Sequence, residues 1–141
     1  MVKRISFRLK NVPGMLSEVS DLMGEERVNI IAFSVAEIDQ EETVVRIVVD
    51  NPEKAVNVLK SHGYDIEAPS VIAAEAPHHP GGLNAILKPL KEAHVNVSNT
   101  YPCLGTGDKT VLIVEVDNPQ EGERVLEANW VHLWGEELYS F

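Results

Sequence analysis

The sequence predicts an α+β protein in which a β-α-β-β-α-β unit occurs twice. Two observations predict this class. The chain repeats itself at a fixed spacing, and its apolar residues alternate in some segments and recur with helical spacing in others. Its 141 residues suit one ordinary domain or two very small ones. We therefore expect one unit over residues 1–68 and a second over residues 69–141, with Pro69 at the boundary.

The internal repeat is the strongest signal in the sequence. When Pro80 is placed on Pro13 without any gap, the chain matches itself at 15 positions. Chance at this composition would give roughly five matches. The longest identical segments are Pro-Gly at 13–14 and 80–81, Val-Asn at 28–29 and 95–96, and Val-Asp-Asn-Pro at 49–52 and 116–119. These matches indicate a duplication.

Local patterns assign the first elements of the first unit. Residues 4–9 alternate apolar and polar side chains, which predicts a half-buried strand. Residues 29–37 and 43–50 are also strand-like, and the polar segment between them predicts a hairpin. A helix is predicted after Pro13-Gly14, because apolar residues recur there with helical spacing. Its apolar face consists of Leu16, Val19, Leu22 and Met23.

The segment Asn51-Pro52-Glu53 predicts the start of a second helix. Asparagine caps helix N-termini, proline suits the first helical position and glutamate suits the positive end of the helix dipole. Val56 and Leu59 are expected to face inward, and Gly63 is expected to end the helix. Residues 64–71 then predict a last extended strand.

The second unit repeats this order. Its first helix has an apolar face of Leu83, Ile86, Leu87 and Leu90. Pro89 is expected to kink or shorten that helix, since a proline in a helix interior costs about 3 kcal/mol. The order β-α-β-β-α-β gives a ferredoxin-like unit, an antiparallel sheet of four strands with two helices on one face. Such small units leave open sheet edges, so we expect them to share an edge or a face and the protein to form a homodimer.

These motifs carry a resemblance to a known family. Two such units, each with Pro-Gly-x-Leu at the first strand–helix turn and Val-Asn at the start of the second strand, resemble a tandem pair of ACT domains. The resemblance covers nearly the whole chain. It implies two units joined side by side. It also implies a small regulatory module that binds a free amino acid where two units meet, between the turn and the strand start. Many ACT domains are fused to an enzyme of amino-acid metabolism, for which this chain has no room.

The repeated turn also has the chemistry of an amino-acid site. A helix N-terminus offers unpaired N–H groups to an α-carboxylate, and glycine lets a ligand approach the backbone. The second turn has Gly82 where the first has Met15, so we expect it to be the more open and the better ligand loop. The candidate ligand-binding residues are Asn11, Pro13, Gly14, Met15, Leu16, Asn29, Ile30, His79, Pro80, Gly81, Gly82, Leu83, Asn84, Asn96 and Val97.

Structural roles compete with these assignments. Pro-Gly before a helix is often only a turn. Asn29 and Asn96 have side chains that satisfy backbone groups at a strand start as readily as they bind a ligand. The repeated Asp-Asn-Pro segments are expected to be capping devices. Four of the apolar residues that follow the turns are expected in the core: Leu16, Val19, Leu83 and Ile86.

Other chemically active residues give no catalytic pattern. His78 and His79 are adjacent, so on an extended segment they point to opposite sides, and we expect no metal site. Cys103 has no neighbouring base and is expected to be an unreactive buried or edge thiol. Trp130 and Trp134 are expected to pack on the helices or in a subunit contact. No hydrolase, metalloprotease, phosphate-loop or dinucleotide motif occurs, so we expect no enzymatic activity and no cofactor.

The net charge limits the partners. With 12 basic and 22 acidic side chains the chain carries a formal charge of −10, which disfavours nucleic acids and anionic membranes. A single cysteine and the lack of a secretory or membrane-spanning pattern predict a cytoplasmic protein. The predicted function is a non-enzymatic sensor of a free amino acid. Two alternatives are a regulatory subunit of a separate enzyme of amino-acid metabolism, such as branched-chain synthesis, and a structural dimerisation module without a ligand.

Overall fold

The computed structural model describes all residues from Met1 to Phe141. It contains eight strands, four α-helices and one short 3-10 helix. In chain order these are β1 (Val2–Lys3), β2 (Ile5–Lys10), α1 (Met15–Glu25), β3 (Ile30–Glu37), β4 (Glu42–Val49), α2 (Pro52–Ser61), β5 (Ser70–Ala76), α3 (Asn84–Glu92), β6 (Val97–Pro102), β7 (Thr110–Val116), α4 (Pro119–Ala128), β8 (Leu133–Trp134) and the 3-10 helix (Glu136–Ser140). None of the helices is both long enough and apolar enough to cross a membrane.

The chain folds into two compact units. One consists of Lys3–Pro69, and the other of Ser70–Phe141 together with Met1–Val2. The boundary expected from the repeat assigns Met1 and Val2 to the first unit. They belong to the other one because β1 lies beside β5 in its sheet and the side chain of Val2 is buried.

The first unit has an antiparallel sheet with the strand order β2-β4-β3. Its alternating residues place Phe7 opposite Val45, and both are buried in one core beneath the helices. The core also includes Val19 and Met23 of α1 and Ala55 and Leu59 of α2. The fourth strand, predicted over 64–71, is present only as an isolated bridge between Ser6 and Glu67.

The second unit has the order β5-β7-β6, with β8 paired to β5 on its other side. Its core joins Ile72 of β5 to Ile86 and Leu90 of α3 and to Val125 and Leu126 of α4. Both units thus follow the predicted ferredoxin-like order, with antiparallel sheets and an α+β fold.

Helix α3 is shorter than its counterpart, as expected, but not at the proline. It has 9 residues against 11 in α1, and it continues through Pro89 to Glu92, the counterpart of Glu25 at the end of α1. The missing residues are at its beginning, where residues 81–83 form a tighter turn before Asn84.

Candidate functional site

Each strand–helix turn depends on a glycine in a left-handed conformation. Gly14 has a φ of 92° and Gly81 a φ of 81°, values that other residues adopt only with strain. Apart from the adjoining residues, no atom lies within 4 Å of a Cβ built on either glycine, so both turns are open on that side. The repeated Pro-Gly is therefore required by backbone geometry and leaves space beside it.

The start of α1 keeps three hydrogen-bond donors unpaired. The N–H of Glu18 donates to the carbonyl of Gly14 at 3.0 Å, the first bond of the helix. No side chain caps this end, and the N–H groups of Met15, Leu16 and Ser17 have no acceptor within the chain. These groups and the helix dipole together create a positive site that suits an anion.

The start of α3 uses its donors internally. The N–H groups of Asn84, Ala85 and Ile86 donate to carbonyls three residues earlier, at 3.1 Å in each case. Gly82 is buried, and a Cβ at this position would lie 1.9 Å from the carbonyl oxygen of Pro77. The expectation that Gly82 opens this turn is therefore wrong, because the glycine allows a close backbone contact instead.

Two leucines that were expected in the core are on the surface. Leu16 is 47% exposed and Leu83 is 44% exposed, whereas Val19 and Ile86 are buried as predicted. Both leucines lie at the very start of their helices. Each turn thus places an exposed aliphatic side chain beside its glycine.

The two strand-start asparagines are held by their backbones. The N–H of Asn29 donates to Oδ1 of Asp50 at 2.9 Å, and the N–H of Asp50 donates to the carbonyl of Asn29 at 3.0 Å. Asn96 and Asp117 repeat this exchange at 3.0 and 3.1 Å. The aspartates therefore anchor the strand starts, and the amide side chains of both asparagines remain exposed.

The next residue of the repeated segment is a helix cap, as predicted. Oδ1 of Asn51 accepts from the N–H of Lys54 at 3.2 Å, and Oδ1 of Asn118 accepts from the N–H of Glu121 at 3.3 Å. The side chains of the Asp-Asn-Pro segments thus have structural roles, as strand anchors and helix caps.

The turn and the strand start lie at opposite ends of the first unit. The N–H of Asn11 donates to the carbonyl of Glu41 at 2.7 Å, and its Nδ2 donates to the carbonyl of Asp39 at 3.1 Å, which places the turn beside the β3–β4 hairpin. Asn29 instead faces Asp50, beyond the other end of β4. An eight-residue strand spans about 25 Å, so one unit does not bring Asn11 and Asn29 together.

Two cavities lie near residues of interest. One, of about 450 Å³, lies between the end of α3 and the start of β6. Its lining includes Asn96 and Val97, two of the predicted ligand-binding residues. It is also lined by Leu87, Leu90, Lys91, His94 and Val95. A larger cavity, of about 580 Å³, lies in the first unit along β2, for which the sequence predicted a half-buried strand and no ligand site.

The remaining candidates form no catalytic cluster. No three histidine, cysteine, aspartate or glutamate side chains come together in a metal-binding arrangement. Nδ1 of His79 lies 2.9 Å from the carbonyl of Pro80.

Burial raises the pKa of Cys103 to about 11, so its thiol is protonated at neutral pH. Trp134 packs against His132 and Phe141, whereas Trp130 is 96% exposed and packs on no helix of the chain, which leaves only the subunit contact of the two expected roles.

Solved structures have the same fold over almost the whole chain. Protein BT0572 from Bacteroides thetaiotaomicron is similar with a TM-score of 0.90 and 26% identity, over 99% of this chain and 96% of that chain. The regulatory subunit of aspartate kinase from Thermus thermophilus gives a TM-score of 0.65 at 11% identity, over 91% of each chain. The aspartokinase alpha and beta subunits give 0.60 at 15% identity, again over 91% of each chain. Among curated proteins no sequence matches.

A family model describes the chain directly. The model of the ACT domain pair matches residues 1–140. This match agrees with the two β-α-β-β-α-β units and their repeated turns. The chain therefore belongs to the ACT domain pair family, whose paired units form a regulatory domain.

Proposed function

We propose that the chain is a non-catalytic regulatory protein that senses a free amino acid. The start of α1 carries this proposal, because the N–H groups of Met15, Leu16 and Ser17 are unpaired at the positive end of the helix dipole. Such donors suit an α-carboxylate. The half-buried Met15 and the exposed Leu16 suit an aliphatic side chain of the ligand. The first turn, including Asn11, Pro13 and Gly14, is therefore favoured over the second.

The ammonium group of the ligand needs an acceptor that the turn does not supply. The exposed amides of Asn29 and Asn96, each followed by an aliphatic residue, Ile30 or Val97, have the required chemistry. Because turn and strand start lie at opposite ends of a unit, a site that uses both takes them from two different units. The second turn is the alternative donor, with His79, Pro80, Gly81, Gly82, Leu83 and Asn84.

Occupancy would act by selecting one arrangement of the units. A ligand shifts such an equilibrium only by its difference in affinity for the two states. Coupling energies of about 1–3 kcal/mol are ordinary for regulatory proteins and would change the affinity for a partner roughly 5- to 150-fold.

The test is a thermal-shift screen of the twenty amino acids, followed by calorimetry of the best ligand. Ser17→Pro removes one turn N–H within the first turn of α1, where proline is tolerated, and Ser17→Ala is its control because both variants lose the same hydroxyl. We expect Ser17→Pro to bind about tenfold more weakly than Ser17→Ala, the effect of one hydrogen bond to a charged group. If no amino acid binds at millimolar concentration, the sensor proposal fails.

A second candidate function is protein association, which is favoured by β3, an edge strand of the first sheet. Phe33 and Val35 are 51% and 40% exposed on this strand, and exposed apolar edge strands pair readily with other chains. The partner is a second copy or a separate enzyme of amino-acid metabolism. Sedimentation velocity should reveal a dimer that Phe33→Glu dissociates and that Thr100→Glu, at the repeat-related position, leaves intact. A wild type that stays monomeric would exclude the homodimer.

A further inference from the structure

At the edge of the first sheet, one pair of residues lacks the backbone hydrogen bonds that would continue the antiparallel ladder, which leaves a gap there. Ser6 and Glu67 exchange two backbone hydrogen bonds, at 2.8 and 3.0 Å. In an antiparallel ladder the next pair of this kind lies two residues along each strand, which here is Arg8 and Asp65. Neither of its backbone hydrogen bonds is formed, because the chain before Asp65 is held at the end of α2, where Tyr64 donates to the carbonyl of Leu59 at 3.2 Å.

The second unit closes the same gap. Glu75 and His132 are the repeat-related counterparts of Arg8 and Asp65. The N–H of Glu75 donates to the carbonyl of His132 at 2.9 Å, and Nε1 of Trp134 donates to Oε1 of Glu75 at 3.2 Å. The open edge at Arg8 is therefore a difference between the repeats rather than a property of the fold.

The gap opens into the cavity of about 580 Å³. Sites for small ligands commonly enclose about 300–1,000 Å³. All of its lining residues belong to the unit Lys3–Pro69. The charged ones are Arg4, Arg8, Glu42, Arg46, Asp65 and Glu67, and the rings of Phe7 and Tyr64, 5.3 Å apart, form part of the wall.

The charges around the cavity are balanced, with three guanidinium groups and three carboxylates. Arg4 and Arg46 already interact with other groups of the chain. Arg8 lies 3.5 Å from Glu42 in an exposed ion pair, and such pairs contribute little to stability. A ligand can therefore take over the Arg8 guanidinium at small cost.

We propose that this cavity binds a small zwitterion of the free amino-acid class between Arg8 and Asp65. The α-carboxylate accepts from the outward N–H and the guanidinium of Arg8. The α-ammonium donates to the carboxylate of Asp65, so that both charges of the ligand are matched. The site lies on the edge of β2, and it shares with the proposed turn site only the class of ligand.

The test is an NMR titration that follows the backbone amide signals of the intact chain. Glycine, leucine, aspartate, lysine and phenylalanine serve as probes one at a time, with acetate and methylammonium as ligands of a single charge. We expect the signals of Arg8 and Asp65 to shift and saturate with an amino acid. Arg8→Gln and Asp65→Asn should each raise its Kd about tenfold. The matched variants Glu75→Gln and His132→Asn should leave the Kd unchanged.

The positions of the shifted signals distinguish the edge site from the turn site. Shifts confined to Met15, Leu16 and Ser17 overturn the edge site and support the turn. Shifts confined to Arg8 and Asp65 do the reverse. No shift at either place overturns both sites, and acetate binding as tightly as the amino acids overturns the zwitterion in favour of an anion site.

Discussion

The first and second units share an element order and the repeated segments, but they differ at the start of their first helix and at one sheet edge. The first unit has three unpaired N–H groups at the start of α1 and an open edge at Arg8. The second unit pairs the N–H groups of the first three residues of α3, Asn84, Ala85 and Ile86, and closes its edge with β8. The shared Asp-Asn-Pro segments, in contrast, make equivalent hydrogen bonds, 3.2 Å at Asn51 and 3.3 Å at Asn118. The common residues thus maintain the fold, and the differences fall where ligands are proposed to bind.

The largest effect in this comparison is expected from Gly82→Ala. A Cβ at this position would lie 1.9 Å from the carbonyl oxygen of Pro77, so the backbone of the turn must move. We expect the free energy of unfolding to fall by about 3 kcal/mol, the upper range for overpacking. Urea denaturation followed by circular dichroism measures the change.

Gly24→Ala is the control for Gly82→Ala. Gly24 lies within α1 with no atom within 4 Å of a built Cβ, so alanine there should raise stability by about 1 kcal/mol. A Gly82→Ala variant as stable as the wild type would mean that the second turn rearranges freely, and the contrast between the two turns would be lost.

The next effect concerns the residue that follows the C-cap of α2 in the first unit and of α4 in the second. Gly63 and Trp130 are related by the repeat and both have a left-handed backbone, with φ values of 86° and 64°. Glycine adopts this conformation without strain, whereas other residues incur roughly 1–2 kcal/mol. Because Trp130 is 96% exposed and contributes little packing, Trp130→Gly should raise the unfolding free energy by about 1 kcal/mol.

Gly63→Ala should lower stability by a similar amount and is the reciprocal measurement. Thermal unfolding of both variants checks the pair. A loss of stability in Trp130→Gly would show that the indole makes a stabilising contact, for example in a homodimer, and comparing two protein concentrations would detect it.

The fold could be predicted from the sequence because its signals are local and occur twice. Alternation in residues 4–9 and helical spacing after Pro13-Gly14 determine which faces are buried, and the core contains Val19 and Met23 as expected. The caps at Asn51 and Asn118 follow from short-range chemistry that involves three neighbouring residues.

The candidate site could be predicted only in part, because its properties depend on contacts between distant residues. The close contact of Gly82 depends on the carbonyl of Pro77, and Leu16 is exposed although the preceding Met15 packs on the core. The open edge depends on a missing contact between Arg8 and Asp65, which lie near opposite ends of the first unit's sequence. Comparing the charges of Arg8 and Glu75 at the same repeat position was the one sequence signal available for it.

Capping should have equal effects in the two units. Asn51→Ala and Asn118→Ala each remove a side-chain acceptor from a helix N-terminus, and each should lower the unfolding free energy by about 1 kcal/mol. Asn51→Asp and Asn118→Asp keep an acceptor and should restore stability, which chemical denaturation of the four variants can establish. Unequal losses would indicate that the repeated segment has acquired a second role in one unit.

The smallest effect is the pH dependence that the thiol of Cys103 contributes, since only the second unit contains a cysteine. Burial raises the pKa of the Cys103 thiol from 9.0 to about 11, because the thiolate is less well solvated in the fold than in the unfolded chain. The protonated thiol therefore contributes stability that is fully present below pH 9 and is lost as the pH rises toward 11. The difference in unfolding free energy between wild type and Cys103→Ser should shrink over this range. Ala36, at the repeat-related position, is exposed, so Ala36→Cys on the Cys103→Ser background should titrate near 9 by thiolate absorbance. Equal titration of the two thiols would contradict the assigned burial of Cys103.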